Sequence, residues 1–238
     1  MLRLKRFILL FFLLVGCQSR ELLPKTTGVE YFPVRVGAFW IYDIVETVIT
    51  QLGGQTNNIY NLRVQAIDSV SLSGQTTYVL ARSKRADATQ PWTNLDSWSV
   101  RLDQFQMVEQ QGNISYVKLS FPLAEGKSWN GNALNNMGGP DKCADGTFHC
   151  ENYVVADINK HFESTGVSYD NSVTIIENND LDSIVRQDVR KSVYVKKIGL
   201  VYRELSVLEY CTIGSCAGNK VVENGSIIKQ TLKEYGGL

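Results

Sequence analysis

The sequence predicts an all-β domain: an antiparallel sheet curved into a meander or partial barrel, with at most a minor helix. Two observations carry this reading. Apolar and polar residues alternate with a period of two along several stretches, and turn signals separate those stretches at spacings too short for parallel crossovers. In residues 97–103, Trp98, Val100 and Leu102 alternate with Ser97, Ser99, Arg101 and Asp103, so every apolar side chain falls on one pleat face. Tyr60, Leu62, Val64 and Ala66 alternate with Asn61, Arg63 and Gln65 in the same way. Each such strand has one buried and one wet face.

Taken along the chain, Phe39–Thr50 opens the sheet, and residues 60–66 follow the turn signal Leu52-Gly53-Gly54. Residues 76–83 come after Ser73-Gly74, then 97–103, then 114–121 after Gln111-Gly112-Asn113. Residues 153–158, 173–177, 200–210 and 226–235, the last after Asn224-Gly225, complete the series. Residues 181–196 read two ways. Leu181, Val185 and Val189 are spaced as on a helix face, whereas Val189, Lys191, Val193 and Val195 alternate as in a strand. A short helix or turn giving way to a strand near Asp188 is predicted.

Residues 122–151 carry little strand pattern, and about thirty residues is long for a connection in a compact domain, usually about four to six. Trp129, Leu134, Met137 and Phe148 supply packing anchors. The segment is predicted to form an exposed recognition surface, with contact through residues 135–149, including Asn135, Met137, Phe148 and His149. A passive loop braced by a disulfide is the competing reading.

The first twenty residues read as an address. Arg3, Lys5 and Arg6 precede an unbroken apolar run from Phe7 to Gly16. A helix of about ten residues covers roughly 15 Å against a hydrocarbon core of about 30 Å, which fits a signal peptide and not a membrane span. Leu14-Val15-Gly16-Cys17 resembles the lipobox of bacterial lipoproteins. That resemblance implies cleavage before Cys17, diacylglycerol on its sulfur, and a membrane partner through that anchor. Gln18, where Asp would retain the protein at the inner membrane, points to the outer membrane. The expected organisation is a signal peptide (1–16), a lipidated tether (17–30) with a coil dimension of roughly 20 Å, and one domain (31–238).

Removal of residues 1–16 takes three of the 24 basic residues and none of the 24 acidic ones, leaving 21 against 24 and a net charge of −3. Nucleic acid as a partner would call for a basic face and is excluded on this balance. No linker rich in Pro, Ser or charge divides the 222 remaining residues, and no repeat of 20 to 50 residues occurs, so a single domain is expected.

Tyr31-Phe32-Pro33 followed by Gly37, Trp40 and Tyr42 resembles the opening of a family of Gram-negative exported lipoproteins of unassigned activity. Gly126-Lys127-Ser128-Trp129-Asn130-Gly131-Asn132 and Lys197-Ile198-Gly199-Leu200-Val201-Tyr202-Arg203-Glu204 are similar to later segments of the same family. The resemblance implies an all-β exported domain and supplies no functional residue. Physically, Trp40 and Tyr42 offer large apolar surface on one strand face, and Gly199 permits a tight turn, so these residues read as fold determinants.

With Cys17 assigned to lipid, Cys143, Cys150, Cys211 and Cys216 remain. Four cysteines allow three pairings, and an oxidising compartment favours disulfides. The local pairing, Cys143 with Cys150 and Cys211 with Cys216, is chosen for geometry: residues 212–215 read as a hairpin loop, whose flanking residues face each other at disulfide distance. His149 between two cysteines suggests zinc, yet neither array has the two-residue spacing of a zinc ribbon, so no metal and no cofactor is expected. Asp141, Asp145, Gly146 and Glu151 depart from the calcium-loop spacing and read as a solvated acidic turn. His149 and His161 are the only histidines, and His161 reads as an exposed turn residue. No nucleophile elbow, phosphate-cradling loop or paired-histidine zinc motif occurs. No catalytic residue is assigned.

The function expected is a membrane-anchored lipoprotein of the cell envelope acting as a non-catalytic binding or assembly module, with an envelope protein or hydrophobic ligand as partner. Two alternatives stand beside it: a hydrolase acting on envelope polymers through a carboxylate pair, and a carrier of a hydrophobic ligand in the concave face of the sheet. A lined apolar cavity would favour the carrier, and converging carboxylates in a cleft the enzyme.

Overall fold

The computed structural model describes residues 28–51, 54–135, 152–181 and 184–238. Its strands are β1 (Phe39–Thr50), β2 (Gly54–Leu72), β3 (Gln75–Arg85), β4 (Thr93–Leu102), β5 (Gln106–Gln111), β6 (Ile114–Ser120), β7 (Ser128–Asn130), β8 (Asn152–Ser164), β9 (Val167–Asp180), β10 (Arg186–Val195), β11 (Gly199–Tyr210) and β12 (Val222–Gly236). All 12 pair antiparallel in one sheet, in the order β6-β5-β4-β3-β2-β1-β12-β11-β10-β9-β8-β7. Apart from the pairing of β1 with β12, every neighbour in the sheet is a neighbour in the chain. Two meanders of six strands are thus joined along the terminal strands. The edges of the sheet, β6 and β7, are themselves consecutive, and the sheet is nearly closed into a barrel with one unsealed seam between them.

Local chemistry sets the hairpins. Ser73 (φ 52°) and Gly74 (φ 79°) form the whole connection from β2 to β3, and Thr165 (φ 50°) and Gly166 (φ 76°) the whole connection from β8 to β9. Two successive residues with positive φ match the twist of the flanking strands. Bulges interrupt several ladders, as between Ala66 and Asp68 opposite Leu80 and Val79, and bend the sheet toward closure.

The seam is held at one level without a full ladder. The Val117 amide donates to the Gly131 carbonyl at 2.8 Å. The Trp129 indole N–H donates to the Val117 carbonyl at 2.7 Å. The Lys127 ammonium donates to the carbonyls of Ser120 (2.8 Å) and Pro122 (3.0 Å). Residues 122–131, expected to be part of an exposed loop, are therefore wall: Leu123 is buried, and Trp129 packs against Tyr153. Of the helix or turn expected before Asp188 it is the turn that is found: residues 184–185 bend, β10 begins at Arg186, and no α-helix occurs among the described residues.

Gly28–Glu30, expected to end a tether, belong to the folded body. Gly28 lies so close to Phe121 that a Cβ would stand 2.5 Å from the ring, and the Glu30 carbonyl accepts from the Lys197 amide at 2.8 Å. This segment and the apolar cluster fill one end of the barrel, near Phe39, Gly199 and Gly236. Tyr31, Phe32, Trp40, Met107, Leu119, Phe121 and Val201 are all buried there. Trp40 stacks on Phe32 at 5.9 Å and donates from its indole N–H to the Ile198 carbonyl at 2.6 Å. Tyr42 donates to the Leu200 carbonyl at 3.2 Å. The Tyr-Phe-Pro, Trp-x-Tyr and Ile-Gly-Leu segments thus meet in the floor. Gly199 (φ 103°) is needed there, since a Cβ would stand 3.2 Å from the Trp40 indole nitrogen.

Candidate functional site

Above the floor the same strands turn charged residues inward. Leu80 is followed two positions on by Arg82, Met107 by Glu109, Ile175 by Glu177 and Val201 by Arg203, and on β6 Tyr116 is followed by Lys118. Side chains two apart share a face, so β3, β5, β9 and β11 carry their charges into the lumen just beyond the apolar plug, and Lys118 joins them from β6 beside Tyr116. The resulting cavity, about 290 Å³, is lined from every strand except β7. Ile44, Leu62, Leu205 and Ile228 give it apolar wall, Tyr60, Trp98, Tyr116 and Tyr153 aromatic wall, and Gln111 and Gln230 amides.

The charges are paired. The Lys118 ammonium stands 2.8 Å from Glu177 Oε2 and donates to the Tyr153 hydroxyl at 3.1 Å. Ser192 Oγ donates to Glu177 Oε1 at 2.5 Å, and Arg203 Nε donates to Ser192 Oγ at 3.4 Å. Arg203 Nη2 lies 3.5 Å from Glu109 Oε1, which also accepts from Gln111 at 2.6 Å. Arg82 pairs with Asp96 at 2.8 Å and lays its guanidinium 3.6 Å over the Trp98 ring; Arg190 pairs with Asp188 at 2.6 Å. Lys118 and Glu177 are only 5% and 4% exposed, so neither charge would persist there alone.

The network sets the protonation states. Burial pushes the Glu177 carboxyl up, but the charges of Lys118 and Arg203, with hydrogen bonds from Lys118 and Ser192, outweigh it and hold the group at about 2. Burial acts to lower Arg203, yet Glu109 and Glu177 keep its guanidinium above its ordinary value. Burial raises the phenols of Tyr42 and Tyr194. A general acid at neutral pH must keep its proton there, and Glu177 is held far below that.

Of the residues singled out in the sequence, Cys17, Met137, Cys143, Phe148, His149 and Cys150 lie outside the described residues. Asn135 sits just beyond β7, its amide donating to the Asn132 carbonyl at 3.0 Å, and is not part of the lumen. Cys211 and Cys216 stand at disulfide distance, with Cα atoms 5.8 Å apart. The four-residue hairpin expected between them is corrected. The Cys211 amide continues the ladder to the Val221 carbonyl at 2.8 Å, so the connection spans residues 211–221 and Cys216 lies inside it on the short 3-10 turn Gly214–Cys216. Glu223 lies within 4.8 Å of both sulfurs, but a bonded pair offers no thiolate to a metal. His161 is on the surface, 3.1 Å from the exposed carboxylate of Asp170, with no nucleophile assembled there. Tyr60, Leu62 and Trp98 were read from the sequence only as apolar strand faces, and the lumen charges were given no role, although a charge two positions from an apolar or aromatic residue was there to be read on five strands.

No family model matches the chain, and no curated protein matches it. Two solved structures are similar. A Bacteroides fragilis protein, described as exported and with a YmcC-like fold, has 14% identity and a TM-score of 0.40, covering 86% of this chain and 98% of its own. A protein of Parabacteroides distasonis, described as a lipoprotein, has 12% identity and a TM-score of 0.38, covering 87% of this chain and 98% of its own.

Proposed function

We propose that the chain is a non-catalytic binding module of the cell envelope, anchored through lipid on Cys17, which takes a small polar molecule into the lumen of its barrel. The lumen cavity carries the reading: concave, built by strands and not loops, and combining apolar and aromatic wall with fixed polar groups, as small-molecule sites do. The anchor rests on the lipobox-like Leu14-Val15-Gly16-Cys17, and Gln18 favours the outer membrane.

The two alternatives fare less well. A carrier of a hydrophobic ligand calls for an empty apolar cavity, whereas here the apolar end is filled and the open volume faces paired charges. A hydrolase working through a carboxylate pair calls for an ionised carboxylate and a second carboxyl that keeps its proton; Glu177 is held ionised by Lys118, and Glu109 is ion-paired with Arg203.

The test compares the mature chain with Ile228→Trp, which fills the lumen, both extracted in mild detergent from their own envelope and examined by native mass spectrometry. The wild type is expected to carry a small-molecule adduct that Ile228→Trp lacks. An adduct retained by a folded Ile228→Trp would remove the lumen from the account.

A further inference from the structure

We infer that the occupant of the lumen is a neutral, hydroxyl-rich molecule about the size of one sugar ring, because the cavity wall holds buried donors without a hydrogen-bond partner while each of its cations already has a carboxylate beside it. The inference rests on the lumen reading above and names the ligand class.

The donors come first. Arg82 Nε and Arg203 Nη2 are buried and have no hydrogen-bond partner among the described residues, and both side chains line the cavity. Guanidinium groups only donate, and a buried donor left without an acceptor costs about 1–3 kcal/mol. An occupant that presents acceptor oxygens would meet both. An alkyl chain would leave both donors unmet, and a cation would oppose them.

Charge separates the remaining candidates. Each cation of the wall has its carboxylate: Asp96 for Arg82, Glu177 for Lys118, Asp188 for Arg190 and Glu109 for Arg203. Arg203 faces both Glu109 and Glu177, whose influence outweighs burial in keeping it charged. A carboxylate or phosphate placed on Arg203 would enter as a third anion around one guanidinium. Hydroxyls satisfy the same donors with no charge and return a donor to the carboxylates.

Size and shape agree. The cavity of about 290 Å³ is on the scale of a small-molecule site and accommodates one ring with its substituents. Tyr60, Trp98 and Tyr116 line the cavity with aromatic surface, and Gln230 with an amide.

The test uses the full mature chain carrying Ile228→Cys on the lumen wall, alkylated with iodoacetamide and read at residue 228 by peptide mass spectrometry, which separates it from the native cysteines. Ile59→Cys, at a position 73% exposed, reports labelling outside the lumen. The probes are methyl glucoside, N-acetylglucosamine and inositol, against glucuronate, glucose phosphate and decanoate. At least one neutral probe is expected to slow labelling at 228 and not at 59, with its charged counterparts needing about tenfold higher concentration for the same protection. Protection by the anions or decanoate at equal or lower concentration overturns the neutral class and leaves the lumen reading intact. So does free labelling that no neutral probe slows at millimolar concentration. Equal protection at 59 overturns it as non-specific. Failure of residue 228 to label in a folded protein overturns the lumen reading itself.

Discussion

Replacing Lys118 by Met tests whether a side chain closes the seam that the backbone leaves open. Lys118 projects from the edge strand β6, and its ammonium reaches Tyr153 on β8 at 3.1 Å and Glu177 on β9 at 2.8 Å, so it ties β6 across the seam to the strands behind β7 from inside. Met keeps most of the stem and removes the charge, leaving Glu177 buried with Ser192 and the more distant Arg203. Breaking a buried pair by removing one partner costs about 3–5 kcal/mol. A second route gives a similar figure: holding Glu177 at about 2 against an ordinary 4.5 corresponds to about 3 kcal/mol in favour of the charged form, with Lys118 the strongest lowering influence. A loss of about 3 kcal/mol in a domain of this size lowers Tm by roughly 6–12 °C.

Urea and thermal unfolding at neutral pH measure the loss, and amide hydrogen exchange locates it. Exchange should quicken at Val117, whose amide bridges the seam to the Gly131 carbonyl, more than along the β1 and β12 ladder. Lys118→Met/Glu177→Gln should recover part of the loss, because it removes the stranded charge. Acid supplies the companion measurement. The folded carboxyl of Glu177 lies below its unfolded value, so its contribution is present above pH about 4.5 and lost as pH falls through about 2. Wild-type stability should therefore fall over that window more steeply than that of Lys118→Met. A loss below about 1 kcal/mol, or exchange quickened equally at β1 and β12, would refute the view that Lys118 seals the seam.

Three further outcomes are expected. Gly131→Ala places a Cβ 2.4 Å from the Tyr153 ring beside the seam bond and should destabilise the chain by about 1–3 kcal/mol in urea, with exchange quickened at Val117. Cys211→Ser should cost about 2 kcal/mol, the chain-entropy value for so short a loop, and non-reducing peptide mapping of the wild type should recover Cys211 joined to Cys216. Palmitate fed to cells should label the wild type and not Cys17→Ser; equal labelling of the two would remove the anchor.

The meander was legible because its signals are local. Trp98, Val100 and Leu102 alternate on β4 as their pleat requires, Ser73-Gly74 is a hairpin turn, and Phe39–Thr50 is β1 to the residue. The curvature toward a partial barrel was legible too, but the pairing of β1 with β12 was not, since it joins residues nearly two hundred apart and leaves no mark in either strand alone. β7 was missed for a related reason. Three residues, Ser128–Asn130, are too few to show a period, and what fixes them is the Trp129 indole reaching Val117 across the seam.

The lumen was missed through how an alternating strand was read. A pattern search rewards apolar residues in one phase and treats a charge as belonging to the other, so Glu177 after Ile175 looks like the point where a strand leaves the core. In a barrel the same phase continues into the lumen, where a charge is tolerated if the opposite wall supplies its partner. Lys118 meets Glu177 only because β6 and β9 face each other across the closed sheet, and Arg203 meets Glu109 from β11 to β5 for the same reason. Each strand by itself shows an unexplained inward charge. Five such strands in one chain, bearing three basic and two acidic side chains, are what a sequence can show of a polar lumen before the pairing of its walls is known.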